Sequence, residues 1–217
     1  MTGGAYMGFK EDAFAITADG IIKNLAKRNM EGFYCSTKEE AKEKVLSLIE
    51  KGSKIGWGGS ETIKECGIID AISGSDYKAI DRSRAKTPEE TKAVYAEIFT
   101  SDYFLMSTNA ITLDGELVNI DGNGNRVSAL IYGPDHVIVV AGLNKVTADV
   151  ESAYRRIKTF ACPPNAVRLH KNIPCGISGK CADCLSDECF CNQIVVTRRS
   201  GHKGRIKVVL VGEELGY

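Results

Sequence analysis

The chain has 217 residues, 43% of them hydrophobic, which suits one domain with an ordinary core. Its 28 acidic and 28 basic residues give a formal net charge of zero. That balance argues against a general nucleic-acid binder and gives no attraction to an anionic membrane surface. The longest apolar run, 137–143, is far shorter than the roughly 20 residues of a membrane-spanning helix. We therefore expect neither nucleic acid nor membrane as a partner.

The first 20 residues lack a basic segment followed by an apolar one, so no secretory signal is predicted. We therefore expect a cytoplasmic protein in a reducing compartment. Cysteines in such a protein seldom serve as disulfide staples. Two of the eight, Cys35 and Cys66, stand alone in apolar surroundings and are predicted to be buried small side chains.

The first half of the chain alternates helical and strand-like segments. Thr37 with Glu40, and Thr87 with Glu90, form capping boxes at two helix starts. In chain order, the predicted elements are a helix over about 12–29, a strand over 32–35, a helix from 37 to 51, a strand over 53–57, a helix from 60, a strand over 77–80 and a helix from 87 to about 100. This alternation predicts a three-layer α/β fold, with a mainly parallel sheet and helices on both faces.

The second half begins with three segments that are each interpreted as β-strands, 102–113, 114–121 and 126–133. Asp114-Gly115 is a typical hairpin turn, and the glycine-rich stretch 121–125 makes the second connection. The rest is predicted as a buried strand over 136–142, a helix that Thr147 caps, a cysteine-rich segment over 162–191, and strands over 193–197 and 205–211. The whole is interpreted as one domain over 1–217, with a β-hairpin and a cysteine-rich C-terminal segment.

Residues 57–62 run from a buried strand through two glycines and a serine into a helix. Free backbone N–H groups at such a helix start bind phosphate or carboxylate well. An ordinary tight turn would explain the glycines equally. The candidate ligand-binding residues here are Gly58, Gly59, Ser60 and Thr62.

Residues 107–128 are rich in asparagine, glycine and acidic side chains. Turn formation explains many of them, but Asn109 and Asn119 lie in strand-like segments, where asparagine is disfavoured. Residues that break a local preference often mark functional sites. The candidate ligand-binding residues are Ser107, Asn109, Asn119, Gly122, Asn123, Gly124, Asn125 and Arg126, a set that suits a small polar or phosphorylated ligand.

Lys145 follows the predicted strand 136–142. Ligands of open α/β sheets bind beyond the C-terminal ends of the strands. Lys145 is therefore a candidate for contact with an anion, and a solvated loop lysine is the alternative.

The cysteine-rich segment holds a Cys-x-x-Cys pair, Cys181 and Cys184, which grips a tetrahedral metal well. Cys175 and Cys191 could complete four ligands for zinc or an iron–sulfur cluster. Spacing alone does not choose between these metals. Reduced or oxidised thiols are the alternative, and Cys162 and Cys189 would be spare.

Several stretches together resemble the LUD (lactate-utilisation) family. They are 58–63, 101–134, 140–146, the Cys-x5-Cys-x2-Cys segment with Cys191, and the ending 208–217. The resemblance implies a three-layer α/β fold similar to the sugar-phosphate isomerase and CoA-transferase superfamily, whose members bind phosphosugars or CoA esters beyond the strand ends. It also implies a link to L-lactate oxidation beside iron–sulfur oxidoreductase subunits.

Two functions are compatible with these residues. One is an enzyme or subunit acting on a small carboxylate, phosphorylated or CoA-type metabolite, with Glu116, Glu61 and Asp121 as candidate catalytic carboxylates and Arg126 and Lys145 holding the anionic group. The other is a non-catalytic accessory subunit whose cysteine segment binds a redox partner or transfers electrons to it. Fold alone does not choose between them.

Overall fold

The computed structural model describes residues 8–74 and 77–217. The predicted domain spans 1–217, so its residues 1–7 and 75–76 lie outside the described part of the chain. No helix in the described ranges is both long enough and apolar enough to span a membrane.

Ten strands and nine α-helices are present in the described ranges. The strands are β1 (Glu31–Cys35), β2 (Lys54–Trp57), β3 (Lys78–Ile80), β4 (Tyr103–Met106), β5 (Ala110–Thr112), β6 (Leu117–Asp121), β7 (His136–Gly142), β8 (Val146–Thr147), β9 (Gln193–Thr197) and β10 (Ile206–Val211). The helices are α1 (Phe9–Lys27), α2 (Lys38–Ser47), α3 (Glu61–Glu65), α4 (Ile68–Ser73), α5 (Pro88–Phe99), α6 (Asn125–Ile131), α7 (Val150–Arg156), α8 (Cys162–Arg168) and α9 (Pro174–Ser178).

The main sheet of the described residues has six parallel strands in the order β1-β10-β7-β4-β2-β3. Apolar side chains of α1, α5 and α6 pack on one face of it. Those of α2, α3 and α4 pack on the other face. Strands covered on both faces must be apolar throughout, and β4 and β7 are buried along almost their whole length. The predicted three-layer α/β fold with a mainly parallel sheet is confirmed.

A second sheet of four strands, in the order β8-β5-β6-β9, lies within the described part of the chain. The predicted hairpin at Asp114-Gly115 joins β5 to β6, and Gly115 has a φ of +85°. That positive φ favours glycine. The inner face of this sheet is covered by α7 and the residues that follow it.

Three predicted elements are wrong. The segment 126–133 is not a strand, because Arg126 to Ile131 belong to α6. The segment 102–113 is not one strand, since β4 lies in the main sheet and β5 in the second. Asp149, and not Thr147, caps α7, accepting a hydrogen bond from the Ser152 backbone N–H at 2.7 Å.

The strand order reverses direction between β2 and β4. From β2 the chain passes outward to the edge strand β3, and then returns to β4, β7 and β10 on the other side of β2. After β2 it enters α3 and α4 on one face, whereas α6, which follows the β5–β6 hairpin, packs on the opposite face. Such a reversal opens a crevice at the C-terminal strand ends, where α/β proteins bind ligands.

We expect Gly142→Ala to destabilise the protein. A Cβ at Gly142 would lie 2.5 Å from the Glu213 carbonyl oxygen and 2.8 Å from the Leu215 nitrogen, and backbone atoms yield poorly to overpacking. The expected loss in the free energy of unfolding is about 1–3 kcal/mol, measured by chemical denaturation.

Gly20→Ala is the control. Gly20 lies within α1 with no atom within 4 Å of a built Cβ, so alanine there should stabilise the helix by up to about 1 kcal/mol. Equal stability of the wild type and Gly142→Ala would show that the C-terminal segment does not pack on β7 as described.

Candidate functional site

A cleft of about 580 Å³ lies beyond the C-terminal ends of β2 and β4. Most of the sequence-predicted site residues line it, namely Gly59, Ser60, Glu61, Thr62, Ser107, Asn109, Asp121, Gly122, Asn123, Asn125, Arg126 and Lys145. Gly58, Glu116, Asn119 and Gly124 are not among the lining residues. The two loops predicted to bind a ligand therefore meet in one place.

Arg126 holds the loops of this cleft together. Its guanidinium donates to the side-chain oxygens of Asn109, at 3.0 Å, and of Asn119. It also donates to the carbonyl oxygens of Ser107 and Ile120, at 3.3 and 2.8 Å. The two asparagines that break strand preference are thus acceptors for Arg126, which explains their presence in β-like segments.

Asp121 completes this arrangement from the end of β6. Its carboxylate lies 3.5 Å from the Arg126 Nε. It also accepts hydrogen bonds from the backbone N–H groups of Gly124 and Val127, at 3.0 and 3.3 Å. These contacts cap the first turn of α6. The Asp121 carboxylate is therefore already bound by the Arg126 guanidinium and by the backbone N–H groups at the start of α6.

Lys145 is buried in the cleft wall with only 3% of its surface exposed. Its ammonium nitrogen donates to the Thr62 hydroxyl at 2.8 Å and to the Ser107 hydroxyl at 3.0 Å. Among residues 8–74 and 77–217, no carboxylate forms an ion pair with it. Burial first, and then the charges of Arg156 and Arg126, lower the pKa of Lys145 to about 7.

Three further cations line the cleft, and no sequence pattern indicates two of them. Arg168 lies 3.7 Å from Glu61, and Lys171 lies 3.4 Å from Glu188. Arg82 follows β3 and contacts the Tyr95 hydroxyl at 3.4 Å, with no carboxylate partner in the described residues. Ligands of open α/β sheets bind beyond the C-terminal ends of the strands, and Arg82 follows the end of β3, so this rule indicates Arg82 as a site residue. Nothing in the local pattern indicates Arg168 or Lys171.

Glu116 lies on the β5–β6 hairpin, which packs on α1. Its carboxylate forms an ion pair with Arg28 at 3.2 Å and accepts a hydrogen bond from the Thr112 hydroxyl at 3.0 Å. The structure brings Glu61 and Asp121 to the cleft but not Glu116.

The predicted metal ligands Cys175, Cys181, Cys184 and Cys191 do not form a ligand set. The described part of the chain contains no group of three or more Cys, His, Asp or Glu side chains placed to hold a metal ion. Cys175 is buried, whereas Cys181 and Cys184 lie on a half-exposed loop. The residues present therefore do not fit zinc or an iron–sulfur cluster in this arrangement.

Two thiols do meet near the cleft. Cys162 and Cys191 have their sulfur atoms 3.5 Å apart. Cys162 begins α8 and lines the cleft, together with Cys189. The contact with Cys162, and then burial, raise the pKa of Cys191. Cys162 is not among the ligands that the cysteine spacing predicts.

Comparison with protein families gives a match to the LUD domain over residues 18–211. The match spans most of the chain and contains all the cleft loops from β2 to β9. The chain belongs to the LUD domain family. No curated protein matches it.

Among solved structures, this LUD-domain protein is similar to a DUF162 family protein from Deinococcus radiodurans. The two are 14% identical, with 93% of this chain and 97% of that chain covered and a TM-score of 0.50. At this identity the likeness shows the fold alone.

Two other structures are matched over part of their length. Ribose 5 phosphate isomerase A from Neisseria gonorrhoeae is 16% identical, with 52% of this chain and 54% of that chain covered and a TM-score of 0.34. eIF2B delta from Chaetomium thermophilum is 16% identical, with coverage of 63% and 54% and a TM-score of 0.35.

We expect Lys145 to make stability depend on pH. Its pKa falls from 10.5 to about 7 on folding, so between these values the unfolded chain binds a proton that the folded chain lacks. The free energy of unfolding should therefore rise with pH in this window, by up to about 1.4 kcal/mol per pH unit. Chemical denaturation across the window measures it.

Lys145→Met serves as the reference, because it removes this titration and leaves the others. As pH rises, the free energy of unfolding of the wild type should increase relative to that of Lys145→Met. A difference that does not change with pH would contradict the neutral buried amine.

We also expect glutathione disulfide to oxidise Cys162 and Cys191 to an intramolecular disulfide, because their sulfurs are in contact. The reaction requires a thiolate, so the raised pKa of Cys191 should make it faster at alkaline pH. Peptide mapping by mass spectrometry identifies the linked pair. Cys191→Ser should abolish it and Cys181→Ser should retain it, whereas a Cys181–Cys184 link in its place would refute the prediction.

Proposed function

We propose that this LUD-domain protein binds a small anionic metabolite in the cleft, of the carboxylate, phosphorylated or CoA type. The observation that carries the proposal is the pair Lys145 and Arg82. Both line the cleft, and neither forms an ion pair with a carboxylate of the described residues. A negatively charged ligand would supply the missing counter-charge.

The location of the cleft supports this proposal. It lies where the strand order reverses between β2 and β4, the place at which open α/β sheets bind ligands. Its volume of about 580 Å³ falls within the usual range for metabolite pockets. Three carboxylates of its wall, Glu61, Asp121 and Glu188, each lie beside another basic side chain. With Asp187, the wall has four carboxylates against five basic side chains, so positive charge remains in excess.

The burial of Lys145 gives a second physical reason. An ammonium group removed from water is unfavourable unless it is paired, and Arg156 and Arg126 add further positive potential. A bound anion would favour the protonated lysine and gain a charge-assisted hydrogen bond from it. L-Lactate belongs among the test ligands, because the family resemblance implies lactate use.

We expect calorimetry to detect binding of at least one of inorganic phosphate, L-lactate, ribose 5-phosphate and acetyl-CoA. Lys145→Met and Arg82→Met should each weaken that binding about 10–100-fold, because each removes a charged hydrogen bond of about 1.5–3 kcal/mol.

Two matched controls separate this effect from a general change in charge. Lys171→Met removes a cleft lysine that already has Glu188 as its partner. Arg84→Met removes an arginine from the same short turn as Arg82, where it pairs with Glu97. Both controls should bind nearly as the wild type does. Equal loss in all four variants, or no binding of any ligand, would refute the proposal.

A further inference from the structure

The hydrogen bonds around Lys145 match a neutral amine better than an ammonium. Thr62 and Ser107 each receive one N–H from the lysine, at 2.8 and 3.0 Å. Their own hydroxyl protons are directed elsewhere, since Thr62 donates to the Leu215 carbonyl at 3.3 Å and Ser107 donates to the Thr108 carbonyl at 3.3 Å. Both hydroxyls therefore act as acceptors for the lysine.

A neutral amine has two N–H groups and a lone pair, whereas an ammonium has three N–H groups. The two hydroxyl acceptors satisfy the two N–H groups. In the described part of the chain, no third acceptor lies within hydrogen-bond distance of this nitrogen. The remaining direction of the nitrogen is thus free for a lone pair, and no donor of the described residues occupies it.

Space is left beside this nitrogen. A Cβ at Gly216 would lie 3.4 Å from the Lys145 nitrogen and 2.6 Å from the Thr62 hydroxyl. Gly216 lines the cleft and has a φ of +56°. Glycine at this position therefore keeps side-chain atoms away from the amine.

We propose that Lys145 forms an imine with the carbonyl group of a small anionic aldehyde or ketone, an inference that rests on the proposed anion binding. Lysines that form imines are activated by desolvation and by a neighbouring cation. Lys145 has both features, being 3% exposed and near Arg156 and Arg126. Arg82 is placed on the cleft wall to hold the anionic group of the substrate.

The reaction requires no oxidant or reductant. The lysine nitrogen adds through its lone pair to the carbonyl carbon, and the C=O π bond opens to give a carbinolamine. The carbinolamine oxygen then leaves as water, with both amine protons ending on that water, and a C=N bond replaces C=O. The class of substrate is therefore an anion that also carries a carbonyl group.

The test is reductive trapping. The wild-type protein is incubated near pH 7 with pyruvate, glyoxylate or dihydroxyacetone phosphate, each with sodium cyanoborohydride, which reduces an imine to a stable secondary amine. Intact mass and peptide mapping then locate the adduct. With at least one probe, we expect the adduct at Lys145 to exceed that at any other lysine by at least about tenfold, because ordinary lysines are almost fully protonated at this pH.

Lys145→Met should lose the adduct, and Lys23→Met, at an exposed lysine of α1 that pairs with Asp19 away from the cleft, should keep it. Peptide mapping of the wild-type protein alone identifies the modified lysine. The test therefore does not depend on whether either variant folds. No adduct at Lys145 with any of the three probes, or equal modification across the lysines, would overturn the proposal.

The calorimetric experiment distinguishes this failure from that of the proposed function. If trapping fails while Lys145→Met still weakens anion binding, the imine is wrong and the anion site stands. If trapping fails and no anion binds, both proposals are wrong.

Discussion

The guanidinium of Arg126 is the contact on which the site depends. It joins the loop after β4, the strand β6 and the start of α6, through acceptors on Ser107, Asn109, Asn119 and Ile120. These acceptors lie where the chain leaves the main sheet for the second one. A planar group with several fixed donors can fix such a junction, which lysine cannot do. The main role of the Arg126 guanidinium is therefore to hold the cleft loops in position.

Because Arg126 and Asp121 satisfy each other, the cleft has a different source of unpaired charge. That source is Lys145 at the end of β7 and Arg82 at the end of β3, on either side of the strand-order reversal. The fold thus brings two basic groups, an amine and a guanidinium, to one crevice from distant parts of the sequence. The hydroxyls of Thr62 and Ser107 position the lysine amine without neutralising it.

Much of the architecture could be predicted from the sequence, because the capping boxes and buried strands are local signals. Thr87 caps α5 as expected, accepting from the Glu90 backbone N–H at 3.2 Å. The cleft residues at 59–62 and 107–126 were also predicted, since glycines and misplaced asparagines mark them. The apolar residues at 126–133 are compatible with a strand, but most of this segment forms α6. That helix is short, and its cap comes from Asp121 across a glycine-rich loop.

Other parts of the site depend on long-range contacts that no local pattern reveals. Glu116 follows a good hairpin turn, but the hairpin packs on α1, so its carboxylate meets Arg28. Arg168 lies at the end of α8, which continues from a π-helical segment over 157–161, and there it approaches Glu61. The cysteine spacing suggested a metal, whereas the fold pairs Cys191 with Cys162, which lies 29 residues away.

The most direct test of this account is an NMR titration of the Lys145 side chain, without and with inorganic phosphate. We predict a midpoint near 7 without the anion, and a higher midpoint when phosphate binds, because a nearby negative charge favours the ammonium. A midpoint near the ordinary value of 10.5, unchanged by phosphate, would contradict both the neutral buried amine and the anion site built around it.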